Sequence, residues 1–208
     1  MNKFSKQEKI DLSISIIVLT LIISFMHSGP NITVDKLLLF IPIAFVTVGL
    51  GFILHELGHK FVAQKYGFYA EFRRSDKGLM LGIVTALMGF LFFAPGAVMI
   101  GSPTGIISEE ENGKISIAGP IVNIILALIF LGIQISIQPL VNLSNSNAMV
   151  YILYSISVIG FNINSFLALF NLLPIPPLDG SKVISWNLPI WLISIVISGL
   201  LTLSAYIH

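Results

Sequence analysis

His55, Glu56 and His59 fall in the run GFILHELGHKFVAQKYG. In a helix, residues four apart share a face, so both imidazoles can reach one ion. Glu56 then lies beside the fourth position of a tetrahedral zinc, where a water can bind, and it can serve as general base. The chemistry such a set performs is metal-assisted hydrolysis of a peptide bond. The chain has no cysteine, which excludes disulfides and thiolate metal sites and leaves His, Asp, Glu or Asn as ligands.

The residues around this set are apolar. Of 208 residues, 55% are hydrophobic and 10% charged, and the mean hydropathy is +0.94, values that belong to a membrane protein. An ionisable group inside an apolar span costs on the order of 3 kcal/mol on insertion scales. Two histidines and a glutamate in one span therefore point to function. The net charge of +1 gives no sign of a nucleic-acid partner.

Hydropathy and helix signals place spans near 10–27, 36–66, 117–138, 148–173 and 189–207, with a shorter apolar stretch at 79–94. Lys3, Lys6 and Lys9 precede the first, which lacks a small-residue cleavage site and reads as a retained span. Thr33 or Asp35 can cap the second and Asn147 the fourth; Pro120 and Pro189 suit the first turns of the third and fifth. The expected fold is an all-α polytopic membrane protein with about five transmembrane helices and a membrane-associated re-entrant or β segment between the second and third spans. It is expected to form a single membrane-embedded domain, 1–208, with its core at 36–185 and no room for an appended soluble domain.

Charge bears on the 79–94 stretch. If it does not cross, the basic residues at 3, 6, 9, 60, 65, 73, 74, 77, 114 and 182 share one side, and only Lys36 lies opposite. If it crosses, Lys114 and Lys182 change sides. The positive-inside bias favours a re-entrant segment and a cytoplasmic N-terminus. From Lys36 to His55 is about 28 Å at roughly 1.5 Å per residue, which puts the site toward the cytoplasmic edge of the membrane.

A catalytic zinc needs a third protein ligand and an open position. Outside HELGH the acidic residues are Glu8, Asp11, Asp35, Glu71, Asp76, Glu109, Glu110, Glu111 and Asp179. Most flank spans, and Glu109–Glu111 reads as a solvated turn. Asp179 closes NLLPIPPLDG, 171–180, whose prolines break the preceding helix and can turn an Asp inward. Taken alone, this segment reads equally well as a Pro-rich exit turn.

HELGH followed by AGPIVN at 118–123 and NLLPIPPLDG resembles the site-2 protease family of intramembrane zinc metalloproteases, over residues 45 to 185. The resemblance implies one zinc held by His55, His59 and Asp179, with Glu56 as catalytic base. It further implies that Asn171 positions substrate or the ligand loop, and that Asn123, on the helix between the motifs, belongs to the substrate-binding set. A ligand shared by His55 and Asp179, each taken to lie at the C-terminal end of its helix, requires those two spans to run in the same direction. That again excludes a crossing at 79–94.

The expected partners are the lipid bilayer and a transmembrane protein substrate, which must unwind before attack because helical carbonyls are hydrogen-bonded. Strands within 68–100 can receive it by edge addition; FYAEFRRS, 68–75, partly alternates apolar and polar residues as a strand does. Two readings compete. One is an HExxH membrane protease of another family with a Glu ligand on a later helix, where none is present. The other is a non-proteolytic zinc-binding membrane protein, a transporter or an inactive protease-like chaperone. The chain looks like an enzyme of a prokaryotic plasma membrane. Asn31-Ile-Thr33 and Asn142-Leu-Ser144 match the glycosylation pattern and fall in loops expected outside.

Overall fold

The computed structural model describes residues 4–29, 31–90, 92, 94–143 and 148–207. Asn147 and Ser144, and with them the expected cap of the fourth span and the second glycosylation pattern, lie outside the described residues. Among those described, five helical stretches are long and apolar enough to cross a membrane, as the hydropathy predicts. The chain divides into two compact units, Met1–Ile107 and Ser108–His208.

In the first unit, α1 (Lys6–His27) starts at Ser5, whose side chain accepts from the Glu8 amide. Thr33 caps α2 (Val34–Ala44) in the same way through Lys36. One π turn, Phe45–Gly49, joins α2 to α3 (Leu50–Lys65), so the span expected at 36–66 is continuous but not uniform. Pro42 lies inside α2; proline supplies no amide and its ring crowds the preceding turn. The Thr47 hydroxyl donates to the Ile43 carbonyl, 2.8 Å, within the widened stretch.

After α3 comes β1 (Tyr69–Arg74), then α4 (Asp76–Leu87) and β2 (Gly96–Gly101). The strands pair antiparallel, with Tyr69 opposite Gly101 and Arg74 opposite Gly96. The Ser75 amide continues the ladder to the Pro95 carbonyl at 2.8 Å. The segment 75–95 therefore leaves and returns at one place, which a single crossing cannot do. Its helix has 12 residues, about 18 Å of rise, against a hydrocarbon core of about 30 Å. Gly78 permits the return: a Cβ there would fall 1.8 Å from the Ala94 carbonyl oxygen. Small residues of α4, Gly78, Gly82, Thr85 and Ala86, are buried with Leu79, whereas Met80, Val84, Leu87 and Met88 are exposed.

In the second unit, α5 (Glu109–Leu143) carries Pro120 and Pro139 inside it. Pro120 is thus not in a first turn, as its position predicted. The helix begins earlier because Ser108 and Glu111 form a capping box: the Ser108 amide donates to the Glu111 carboxylate at 2.9 Å and the Glu111 amide to Ser108 Oγ at 3.2 Å. The acidic run 109–111 is accordingly a first helical turn, where the helix dipole favours negative charge. α6 (Ala148–Asn171), α7 (Asp179–Trp186) and α8 (Leu188–Ile207) follow. α7 was not expected, since the prolines before it read as an exit turn. The Asn187 side chain accepts from the Ile190 amide, 3.0 Å, and caps α8.

α8 is packed inside-out relative to a helix in water. Ser194, Ser198 and Thr202, spaced by four, are buried; Leu192, Ile193, Val196, Leu200 and Leu203 are exposed. Small polar residues inward and large apolar ones outward is the arrangement that lipid favours.

Candidate metal centre

His55 and His59 stand one turn apart on α3 and are 6% and 7% exposed. Their Nε2 atoms are 3.0 Å apart, with the ring planes at 83°. Two nitrogens roughly 2.0–2.1 Å from a tetrahedral zinc lie about 3.3 Å from each other, so the observed pair fits a shared ion. Glu56 is buried beside them, 8% exposed. α3 stays helical through Lys65, which puts His55 mid-helix and not at the C-terminal end that was expected.

The residue after His59 is Lys60, counted in sequence among the charges at the membrane edge. It is 1% exposed. Its ammonium meets both oxygens of Glu8, at 2.6 and 2.5 Å, and lies 4.0 Å from the centre of the Phe4 ring. Glu8 is fully buried and also accepts from the Phe72 amide at 3.0 Å. One carboxylate of α1 thus joins the HELGH helix to β1 and neutralises the cation next to the histidines. Glu71 is engaged in turn by Ser5, Tyr69 and Arg73, the last at 2.9 Å. Asp11 accepts from Gln7 at 2.9 Å and has Arg73 at 3.7 Å. The buried carboxylates of this unit other than Glu56 are therefore committed to neighbouring donors and cations.

In the second unit, Asp179 opens α7 with its side chain 13% exposed and Lys182 Nζ 3.8 Å away. Apart from the first turn of α5, it is the acidic residue of this unit. Leu178 precedes it in extended conformation, and the prolines at 174, 176 and 177 are exposed. Asn171, the last residue of α6, donates to the Leu167 carbonyl at 2.9 Å. Asn123 is fully buried on α5 and donates to Asn164 Oδ1 at 2.9 Å; Asn164 donates to the Gly160 carbonyl at 2.8 Å. The amides tie α5 to α6.

Sequence reasoning passed over Glu8, Asn164 and α7. Lys60 was the available signal for the first, because an ammonium within a span requires an anion. For α7, the signal was Asp179 in a first turn with Val183 and Trp186 three apart behind it.

No protein-family model and no solved structure matches the chain. Three named proteins do. It is 45% identical over 192 residues to "Putative zinc metalloprotease MJ0611" of Methanocaldococcus jannaschii, covering 92% of this chain and 90% of that protein. A second protein of the same organism, "Zinc metalloprotease MJ0392", is 30% identical over 152 residues, 70% of this chain and 34% of the longer relative. "Putative zinc metalloprotease YwhC" of Bacillus subtilis is 31% identical over 163 residues, 71% of this chain and 70% of the relative. With a buried HExxH helix of zinc-fitting geometry and near-complete coverage of one such relative, the chain belongs to the zinc metalloprotease family that these proteins represent.

Proposed function

We propose that this membrane zinc metalloprotease is an intramembrane endopeptidase of the site-2 type, cleaving a peptide bond in or near a transmembrane segment of its substrate. The observation that carries the reading is the imidazole pair of His55 and His59, buried with Glu56 in a helix otherwise fit to cross a membrane. A hydrolytic centre placed there meets substrates that are themselves membrane-embedded. His55, His59 and Asp179 would hold one zinc. The choice of Asp179 rests on the resemblance in NLLPIPPLDG and on the engagement of the buried carboxylates of the first unit, Glu56 apart, elsewhere.

When bound there, zinc would supply a coordinated water with its pKa lowered toward 7 and a Lewis acid for the scissile carbonyl. Glu56 takes the water's proton and later delivers it to the leaving amine. Its burial beside the two histidines limits the access of bulk water to that transfer. Asn171, at the end of α6, helps to position substrate or the ligand loop, and Asn123, on α5, belongs to the substrate-binding set. The N-terminus is cytoplasmic, the site lies toward the cytoplasmic side, and the membrane is a prokaryotic plasma membrane.

Substrate is received as a strand. On β1 the outward amide of Phe72 is already taken by Glu8, whereas no further strand lies beside β2 among the described residues. β2 therefore offers the open edge, and an unwound substrate recovers there the backbone bonds it loses.

Glu56→Gln tests the mechanism: the purified variant is expected to retain zinc and to lose cleavage of a model transmembrane substrate. Cleavage at the wild-type rate would overturn it. Asp179→Ala is expected to lower bound zinc, and wild-type metal content would remove Asp179 from the ligand set. A zinc-binding protein without protease activity would show no cleavage even before substitution.

A further inference from the structure

We propose that Trp191, on α8, is a positioning residue for the metal ligand Asp179; this rests on the reading of Asp179 as a ligand. α6 ends at Asn171, and carbonyls at a helix end lack intrahelical donors. The Leu172 carbonyl accepts instead from the Trp191 indole N–H, at 2.8 Å. That same carbonyl is where the chain after Asp179 comes to rest. A Cβ on Gly180 would fall 2.1 Å from the Leu172 oxygen and 2.6 Å from that of Leu173, so the glycine backbone lies directly against it.

The stretch between these points has little of its own to fix it. Pro174, Pro176 and Pro177 donate no amide, and the Leu178 amide closes a turn on Ile175 at 2.9 Å. Beneath it, Leu172 and Val183 are fully buried and pack with Ile117, with Trp186, Ile190, Trp191 and Ile195 around them. The indole holds the carbonyl, the carbonyl sets the height of Gly180, and Gly180 sets where the Asp179 carboxylate begins. Leu172 is fully buried, so little solvent reaches its carbonyl oxygen to stand in for a missing indole N–H.

Partners hydrogen-bonded directly to a metal ligand typically change metal affinity by 10–100-fold when lost; Trp191 acts through Leu172 and Gly180, so the low end of that range applies. Trp191→Phe keeps the ring and removes the donor. In the full chain in detergent, with zinc affinity measured by competition against a chelator, it is expected to raise the zinc Kd by about tenfold. In an Asp179→Ala background it is expected to have no further effect, because its influence passes through that carboxylate. Gly180→Ala presses on the same carbonyl from the other side and provides an independent arm: it too should weaken zinc binding, non-additively with Trp191→Phe. Ile195→Ala, in the same packing cluster without the hydrogen bond, should leave the Kd unchanged. An undiminished effect of Trp191→Phe in the Asp179→Ala background, additive losses with Gly180→Ala, or a wild-type Kd for Trp191→Phe would each overturn the proposal. If Asp179→Ala itself binds zinc as wild type does, the ligand assignment fails first, and the two failures are told apart.

Discussion

A carboxylate withdrawn from water must be answered by cations or donors, and Glu8 has both Lys60 and the Phe72 amide. Removing one partner of such a pair leaves a buried charge unanswered. Lys60→Met or Glu8→Met alone is expected to destabilise the fold by about 3–5 kcal/mol, whereas the double substitution should recover the part due to the unpaired charge and fall short of wild type by about 1–3 kcal/mol for the Phe72 amide left without its acceptor. Denaturation midpoints of the three variants in detergent check this. At this scale the sequence was informative where chemistry is local. HELGH reveals itself because its members lie within one helical turn. Glu8 and Lys60 are 52 positions apart, and nothing in either neighbourhood names the other. Asn123 and Asn164 were hidden in the same way: a buried amide shows that a partner exists but not where.

Elements were legible when one physical property defined them and obscure when two competed. β1 was readable from its partial alternation, and its observed bounds, Tyr69–Arg74, lie within the expected 68–75. The π turn was invisible because its residues, Phe45–Gly49, are as apolar as an α-helix requires, and only the geometry around Pro42 distinguishes them. Strand register makes a pointed prediction. Phe72 sends its amide outward to Glu8 and faces Val98, so Val98 also points its amide away from the ladder. Val98→Pro should leave the hairpin paired while removing a donor from the open edge of β2. Cleavage is expected to fall about tenfold, the worth of one hydrogen bond, with zinc content unchanged. Met99→Pro instead strikes an inward bond and should loosen the hairpin itself, as seen in a lowered unfolding midpoint.

For the whole molecule, the number of spans was legible because hydropathy reports the solvent, and the solvent here is lipid. The same property concealed the packing. In α4 and α8 the inward residues are small or hydroxylated and the outward ones large and apolar, so a search for an apolar core face picks the wrong side. Each unit has a packed core independent of the metal, such as Leu12, Leu19, Phe52 and Phe72 in the first and Ile117, Leu172 and Val183 in the second. Zinc removal by a strong chelator is therefore expected to abolish cleavage while leaving far-ultraviolet circular dichroism unchanged, and added zinc should restore activity.

The backbone clasp between Ser75 and Pro95 has an evolutionary consequence. Because both ends of the excursion are held at one point, its length can vary at a cost that grows only logarithmically, about 0.6 kcal/mol per doubling. The stretch from 76 to 94 is then an exchangeable cassette. Insertions or deletions within it can be accommodated while His55 and His59 stay in place.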